Sequence, residues 1–302
     1  MALPDRHLRV IYRGAPAGSR RVWFEAGGGD RRPARAASGP AGSGTVWTAM
    51  LPDDALRAGA GLAVRVSGED ARGKAWSATS PEYQLVALES GAAAETPAGS
   101  ALEWRVPAGA AFERDWAVVL PAVTVPATGE LSARGPMAAV LPTALVLRRA
   151  ASVSLPLPAA AAPDHVALFQ WDGSEWDFLG RDFDPATRRV RGESRNGGAF
   201  ALLEDTAAPR VTARRPRRHP ALKPYSRWAL EAVLEDDGAG VDRTLTHFVV
   251  DGRVRPSEWD GEVKTLRWRP LKRPASGRHT YEIVAVDRTG NLARRTGTFV
   301  ID

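Results

Sequence analysis

VALFQWDGSEWDFL, residues 166–179, gives the clearest local indication of secondary structure in this chain. Two runs rich in aromatic and aliphatic side chains stand on either side of Asp172-Gly173. An Asp-Gly pair in that position is a strong signal for a β-hairpin, because glycine accepts the positive φ angles of a tight hairpin turn. The stretch therefore predicts two antiparallel strands joined by a short turn.

The same pattern of short strands and turns extends in both directions from this hairpin. Apolar side chains recur at every second position in residues 62–66 and 151–157, and clusters of Gly, Pro and Asp separate such runs. Alternation with a period of two residues buries one face of a strand, whereas helical periodicity is scarce in this chain. The sequence therefore predicts an all-β protein of three consecutive antiparallel β-sandwich, immunoglobulin-like domains with little helix.

Changes in composition along the chain give the expected domain boundaries. Residues 90–100 are small and polar and show no apolar period, which is typical of a linker. The segment Asp205-Thr206-Ala207-Ala208-Pro209 precedes a further set of strand-like runs. We therefore expect domains at residues 1–89, 101–204 and 205–302, with a linker at residues 90–100.

Motifs in residues 205–302 carry a first resemblance to a known family. In Asp287-Arg288-Thr289-Gly290-Asn291, the carboxylate of Asp287 can accept backbone N–H bonds, while Gly290 and Asn291 tolerate left-handed angles. With residues 237–242, 250–253 and 277–281, this segment resembles a bacterial immunoglobulin-like or fibronectin type III-like domain. Residues 1–89 are similar to another such domain through residues 22–24, 47–52 and 66–74. The resemblance implies sandwich folds and structural turn residues, and says little about a ligand.

The middle domain carries a second resemblance. Residues 104–110, WRVPAGA, and the closing segments 171–176 and 198–202 resemble a ZU5-like sandwich. Some relatives cleave themselves at a His-Phe-Ser type junction, but residues 196–200 read NGGAF and contain neither the His nor the Ser. Trains of such modules resemble the C-terminal accessory regions of secreted bacterial proteins, including M23-type peptidases. That likeness implies that any catalytic domain lies outside this chain.

Composition excludes several classes of site. The chain has no cysteine, which excludes disulfides, thiolate metal sites and cysteine nucleophiles. No run of apolar residues is long enough for a membrane span, and the first residues lack the apolar core of a signal peptide. Because a strand-like run begins near Leu8, we expect a truncated N-terminus. The expected location is extracellular, periplasmic or at the cell surface.

A search for catalytic and metal-binding patterns favours a non-catalytic protein. The histidines show no zinc-ligand spacing, and neither a nucleophile elbow nor a phosphate-binding loop is present. No cofactor and no enzymatic activity are expected. The acidic segment 236–242 offers Asp236, Asp237 and Asp242 as calcium ligands, but it lacks the spacing of an EF-hand, and a solvated turn is the competing interpretation.

Positive charge is concentrated in the last predicted domain. Residues 205–302 contain 19 Lys and Arg against 13 Asp and Glu, which accounts for the whole net charge of +6. Its sharpest feature is a Pro-punctuated basic segment, in which the candidate contacts for an anionic surface are Arg214, Arg215, Arg217 and Arg218. The competing interpretation is a protected edge strand, because Arg and Pro prevent sheets from joining edge to edge. No aromatic platform accompanies these arginines, so nucleic-acid binding is the less favoured hypothesis.

These observations leave three hypotheses about function. The first is a set of spacer, display or interaction modules in a larger secreted protein, whose partner is a cell-wall polysaccharide or another envelope protein. The second is carbohydrate or cell-wall binding by modules of a secreted peptidase or glycosidase, since exposed members of the ten tryptophans can stack on sugar rings. The third is a basic binder of nucleic acid or another anionic polymer.

Overall fold

The computed structural model describes residues 7–26, 29, 31–38, 45–52, 56, 61–123, 126, 128–218, 228–272 and 274–301. Within these ranges every regular element is a β-strand, and the strands form several antiparallel sheets. The predicted all-β sandwich class is therefore confirmed. In the part of the chain covered by these ranges, no helix could span a membrane.

The strands follow one another at short intervals along the chain. The first nine are β1 (His7–Tyr12), β2 (Arg20–Ala26), β3 (Arg32–Pro33), β4 (Arg35–Ser38), β5 (Thr45–Pro52), β6 (Gly61–Leu62), β7 (Val64–Glu69), β8 (Ala75–Thr79) and β9 (Tyr83–Leu88). The next eleven are β10 (Ala94–Glu95), β11 (Glu103–Val106), β12 (Asp115–Val123), β13 (Ser132–Ala133), β14 (Met137–Leu141), β15 (Val146–Pro156), β16 (Val166–Trp171), β17 (Trp176–Gly180), β18 (Asp182–Asp184), β19 (Arg189–Asn196) and β20 (Gly198–Glu204). The last eight are β21 (Arg210–Arg218), β22 (Trp228–Glu235), β23 (His247–Val250), β24 (Arg253–Arg255), β25 (Glu258–Asp260), β26 (Thr265–Trp268), β27 (Gly277–Val286) and β28 (Leu292–Ile301).

The chain divides into two compact units. The first comprises Met1–Thr124, Pro136–Pro156 and Arg191–Phe200, and the second comprises Val125–Gly135, Leu157–Val190 and Ala201–Asp302. The boundaries expected at residues 89–101 and 204–205 stay a prediction.

The first unit contains a sandwich built from the start of the chain. Sheets β1-β5-β4 and β3-β2-β7-β8 enclose a core whose most deeply buried side chains include Phe24, Leu51, Val66 and Leu85. The run expected as one strand over residues 62–66 is divided at Ala63. Leu62 pairs with Tyr83, whereas Val66 pairs with Phe24 in another sheet, so the hydrogen-bond ladder is interrupted between them.

Part of the expected linker is ordered in the first unit. Ala94–Glu95 forms β10 and pairs with β11. The hydroxyl of Thr96 accepts a hydrogen bond of 3.0 Å from the backbone N–H of Trp104 and donates one of 3.1 Å to the carbonyl of Leu102. Thr96 is buried, so its hydroxyl bonds these two main-chain groups instead of facing solvent.

The second unit contains the predicted hairpin and the last sandwich. Trp171 pairs with Trp176 across the turn, Gly173 has a φ of +113°, and the pairing of β16 with β17 confirms the hairpin. In residues 205–302, sheets β21-β22-β26-β25 and β24-β23-β27-β28 enclose a separate core. The largest core side chains there are Leu230, Phe248, Leu266, Trp268, Ile283 and Phe299.

Candidate functional site

Three carboxylates from separate loops meet at one end of the last sandwich. Asp205 precedes β21, Asp236 follows β22, and Asp287 lies between β27 and β28. One oxygen of each side chain lies within 4.8 Å of the others. We call these residues the aspartate cluster. Across the residues with described positions, it is the one group of three or more His, Asp or Glu side chains whose atoms are spaced closely enough to share a metal ion.

Asp287 is bound within its own turn. Its Oδ1 accepts hydrogen bonds from the backbone N–H groups of Thr289, Gly290 and Asn291 at 2.6–2.9 Å, and its Oδ2 accepts one of 2.7 Å from the side-chain amide of Asn291. Gly290 has a φ of +98°, a left-handed conformation that a side chain would disfavour. The three residues expected at this turn therefore lie together, and the turn fixes the Asp287 carboxylate.

Asp205 connects three segments that are distant in sequence. Its Oδ2 accepts a hydrogen bond of 2.7 Å from the N–H of Ala239, and its own N–H donates one of 3.0 Å to the carbonyl of His165. The Asp205 carbonyl accepts hydrogen bonds from the Asn291 amide and the Thr289 hydroxyl. Asp205 is fully buried. The side chain and the backbone of this one residue therefore bind the hairpin region and two loops of the sandwich.

Asp236 is the partly exposed member of the aspartate cluster. Its Oδ1 accepts hydrogen bonds from the N–H groups of Gly238 and Gly240. Burial, together with the charges of Asp205 and Asp287, raises its pKa to about 6. Burial also raises the pKa of Asp205. The cluster therefore gains negative charge as pH rises through the weakly acidic range.

The chemistry of the aspartate cluster is that of hard oxygen ligands. Ca²⁺ accepts carboxylate oxygens, but it needs about 6–8 oxygen ligands. Several oxygens of the cluster already accept N–H bonds, and Asp287 Oδ1 alone accepts three from the backbone. Asp205, Asp236 and Asp287 are the residues that could hold such an ion. The observed hydrogen bonds make the same group a junction between loops.

The three calcium candidates expected from sequence are separated in the structure. Asp236 belongs to the aspartate cluster. Asp237 is exposed and forms an ion pair of 2.8 Å with Arg210, which lowers its pKa. Asp242 accepts hydrogen bonds from the backbone N–H and the hydroxyl of Thr244. The sequence search did not associate Asp205 and Asp287 with Asp236, because neither lies in the acidic segment.

The basic segment forms an edge strand. β21 is the first strand in the order β21-β22-β26-β25, and Arg214 on it is exposed. The backbones of Arg217 and Arg218 pair with Ala229 and Trp228. The side chains of Arg215, Arg217 and Arg218 lie outside the described residues. Contact with an anionic surface stays a prediction for these four arginines.

A histidine and a carboxylate form a separate pair at the turn between β23 and β24. His279 Nδ1 lies 2.7 Å from Asp251 Oδ2, its Nε2 lies 2.8 Å from the carbonyl oxygen of Ala275, and its ring stacks on Phe299. Both ring nitrogens face acceptors, so the charged imidazolium is favoured, and the hydrogen bond to Asp251 raises the pKa of His279. An imidazolium with both N–H groups bonded has no free lone pair to act as a general base.

The tryptophans divide between core and surface. Trp23 on β2 is 37% exposed, whereas Trp104 is fully buried. Of the other tryptophans with described side chains, Trp47, Trp116 and Trp268 are buried, and Trp76, Trp171, Trp176 and Trp259 are half-buried. Within this set, Trp23 is the most exposed.

Comparison with known proteins adds no family to this description. A scan against protein-family models finds no matching family, and a search of curated proteins finds no matching relative.

Proposed function

We propose that this chain is a non-catalytic accessory region of a larger secreted or cell-envelope protein, in which β-sandwich modules act as stiff spacers that display or dock other parts. Another envelope protein or a cell-wall polysaccharide is the proposed partner. The single observation that supports the proposal best is the burial of Asp205, whose backbone and carboxylate bind segments on both sides of the expected boundary at residues 204–205.

The hairpin region and the last sandwich also contact each other through side chains. Arg181 donates a hydrogen bond to the carbonyl of Thr289. The guanidinium of Arg288 lies 5.5 Å from the ring centre of Phe178, within the range of a cation–π contact. In each contact one residue precedes Asp205 in the sequence and the other follows it. Both contacts strengthen the same junction, and neither depends on the Asp205 carboxylate.

An exposed ion pair also joins residues from before and after the expected boundary at 204–205, and a second one lies within the last sandwich. Arg210 lies 3.4 Å from Glu130 and 2.8 Å from Asp237. Exposed ion pairs contribute only about 0–1 kcal/mol each, so the buried hydrogen bonds dominate the junction.

A buried, hydrogen-bonded junction holds one orientation. Rotation of the hairpin region, together with Asp205, against the sandwich would separate the buried Asp205 carbonyl from Asn291 and the Asp205 carboxylate from Ala239, at a cost of about 1–3 kcal/mol for each group. A flexible linker has no such cost, because water solvates its backbone at every angle. A fixed orientation of this kind suits a spacer, because a spacer must keep the parts attached to it at a constant separation.

Distance measurements between spin labels test the proposal directly. The chain has no cysteine, so Ser174→Cys in the hairpin and Thr298→Cys on β28 give one defined label pair. Both positions are exposed. Pulsed electron–electron double resonance should give a single narrow distribution of distances between the two labels. The double variant Arg181→Ala, Asn291→Ala removes junction donors and should broaden that distribution.

A matched control separates the junction from general loss of stability. Asp260 also accepts backbone N–H bonds in a turn of the same sandwich, but its partners are its own neighbours Glu262 and Val263. Asp260→Ala should therefore leave the distribution narrow. A broad distribution in the parent protein would overturn the stiff-spacer proposal.

Carbohydrate binding is a second candidate, favoured by the exposed ring of Trp23. Trp23 lines a shallow groove of about 360 Å³ together with Arg21, Arg31, Ser67 and Glu69, which supply the hydrogen-bonding groups that sugars need. If the groove binds sugar, Trp23→Ala should abolish retention on insoluble peptidoglycan and chitin, whereas Trp171→Ala should not. Equal retention of both variants, or none by the parent, would exclude this candidate.

A further inference from the structure

We propose that the free edge of β1 is a docking site for an extended peptide segment of a partner protein, which adds a strand to the sheet β1-β5-β4. The inference concerns the first unit alone and is independent of the spacer proposal. It rests on a cavity, on the strand edge that lines one wall of that cavity, and on the charge beside it.

The first unit encloses a large apolar cavity. Its volume is about 880 Å³, and it is open to solvent. Proteins bind compact ligands in pockets of about 300–1,000 Å³. Much of its wall comes from the core side chains of the first sandwich, among them Leu8, Val10, Phe24, Leu62, Val66 and Trp116.

Consecutive residues of β1 line one wall of the cavity. Leu8, Arg9, Val10, Ile11 and Tyr12 all line it. Side chains of a strand alternate between two faces, so five consecutive residues can share one cavity only if it runs along the strand's edge. β1 pairs with β5 on its other edge, and no further strand pairs with it among the residues that the structure describes.

A free strand edge selects a peptide over a purely lipophilic ligand. Every second residue of an edge strand directs its N–H and C=O groups away from the sheet, where another strand can pair with them. A hydrocarbon in the cavity would cover these groups without bonding them, and each buried, unpaired group costs about 1–3 kcal/mol. An added strand bonds them and fills the cavity with its side chains, which is the general mode of β-augmentation.

The side chains of β1 specify the partner's chemistry. Leu8, Val10 and Tyr12 face the core, so the partner segment needs apolar residues at alternate positions over about the six residues of β1. Arg9 faces solvent and forms no ion pair with any side chain that the structure describes. An acidic residue opposite Arg9 would form a cross-strand pair worth about 0.2–1 kcal/mol. The expected partner is therefore an extended, amphipathic, acidic segment.

Binding of designed peptides to the full chain tests this inference. The probes are two acetylated, amidated peptides, Glu-Val-Glu-Val-Thr-Val-Thr and its one-residue register shift Val-Glu-Val-Glu-Val-Thr-Val. Calorimetry should show saturable binding of one peptide per chain for at least one of them. Amide hydrogen exchange should slow at alternate residues of β1. N-methylation of alternate amides in the bound peptide should abolish binding, because it removes the donors that pair with the edge.

Two variants of the sheet β1-β5-β4 form a matched pair. Val10→Lys puts a charge into the cavity and should abolish binding, whereas Ala36→Lys changes an exposed residue on β4, at the other edge of the sheet, and should leave binding intact. If Val10→Lys loses its β-sheet circular dichroism, the N-methylated peptide still decides the question with the parent protein.

Several results would overturn the inference. Equal binding of the N-methylated peptide would mean that the cavity takes apolar side chains without strand pairing. Displacement of the peptide by dodecanoate, with no change in β1 exchange, would assign the cavity to a lipid-like molecule. A dimer of the chain that Val10→Lys dissolves would assign the edge to a second copy. Absence of binding by both peptides would leave the edge without the proposed partner.

Discussion

The side-chain amide of Asn291 donates a hydrogen bond of 2.8 Å to the main-chain carbonyl of Asp205, across 86 residues of sequence. The same amide nitrogen lies 2.7 Å from Asp287 Oδ2. One side chain therefore satisfies a buried carbonyl at the entrance to the last sandwich and a buried carboxylate in the turn between its final two strands.

Removal of this amide should destabilise the second unit. Asn291→Ala leaves both acceptors buried without that donor, and we expect a loss of roughly 1–3 kcal/mol in the free energy of unfolding. Urea denaturation followed by tryptophan fluorescence measures this loss. Asp260→Ala, which removes a half-buried acceptor with two long hydrogen bonds to its own turn, should cost less. Equal losses in the two variants would contradict the special role of Asn291.

Protonation of Asp236 should make the stability of the second unit depend on pH. Its pKa is about 6 in the folded protein and 3.8 ordinarily, so the fold disfavours the charged form. The stabilising contribution of the protonated Asp236 carboxyl is fully present below pH 3.8 and is lost as the pH rises through about 6. Asp236→Asn keeps the oxygen that accepts from Gly238 and Gly240 and removes the charge. We therefore expect a higher melting temperature than the parent near pH 8, and a smaller difference near pH 4.

Differential scanning calorimetry across this pH range provides the measurement. A parent protein whose melting temperature rises with added Ca²⁺, in a manner that Asp236→Asn abolishes, would contradict the proton-based explanation. That result would assign a bound cation to the aspartate cluster instead.

The close approach of two loops makes Gly238 sensitive to substitution. A Cβ at this position would lie 2.6 Å from the Cγ of Asp205. That carboxylate cannot move away cheaply, because it is buried and accepts hydrogen bonds from Ala207 and Ala239. We expect Gly238→Ala to lower the free energy of unfolding by about 1–3 kcal/mol.

A second glycine supplies the control for this substitution. A Cβ at Gly91 would meet no atom within 4 Å, so Gly91→Ala should be neutral or slightly stabilising. Thermal unfolding of both variants decides the comparison. A neutral Gly238→Ala would show that the two loops are not held as closely as the structure places them.

The pair of His279 and Asp251 should stabilise the last sandwich at the acidic side of neutrality. The hydrogen bond to Asp251 raises the pKa of His279 above its ordinary value of 6.5. The contribution of the imidazolium is fully present below 6.5 and is lost as pH rises through the folded-state pKa. The same hydrogen bond lowers the pKa of Asp251, so the carboxylate contributes above 3.8 and loses its contribution as pH falls through its folded-state pKa.

Replacement of the carboxylate should remove this dependence. Asp251→Asn is expected to destabilise the protein more near pH 6 than near pH 9, where the histidine is neutral. Denaturation at both pH values and an NMR titration of the His279 ring provide the test. Asp260→Asn serves as the control, and a loss independent of pH in Asp251→Asn would refute the charged pair.

Local chemistry explains which strands were predictable from sequence. The hairpin at Asp172-Gly173 is encoded by two adjacent residues, and strands such as β11 alternate visibly. By contrast, β14 shows almost no alternation, because four of its five residues are buried. A strand covered on both faces loses the period of two that marks a half-buried strand, and an Ala-rich strand of this kind resembles any short apolar run.

The aspartate cluster was only partly predictable for a different reason. Asp236 was recognised from its acidic neighbours, and Asp287 from its turn. Their meeting with Asp205 depends on how two sheets close around a core, which no local pattern records. The free edge of β1 escaped prediction in the same way, because an alternating run looks identical whether one or two strands pair with it.

The long pairing of β27 with β28 determines how the last sandwich responds to tension. The two strands are in register from Val286–Leu292 at the turn to Gly277–Ile301 at the far end, a span of about 30 Å at 3.3 Å per residue. Asp205 is bound at the turn end, whereas Ile301 lies at the other. A pull applied between Asp205 and Ile301 would therefore load the interstrand bonds along the strand axis. These bonds would be loaded in shear, so they would share the force and break together and not one after another.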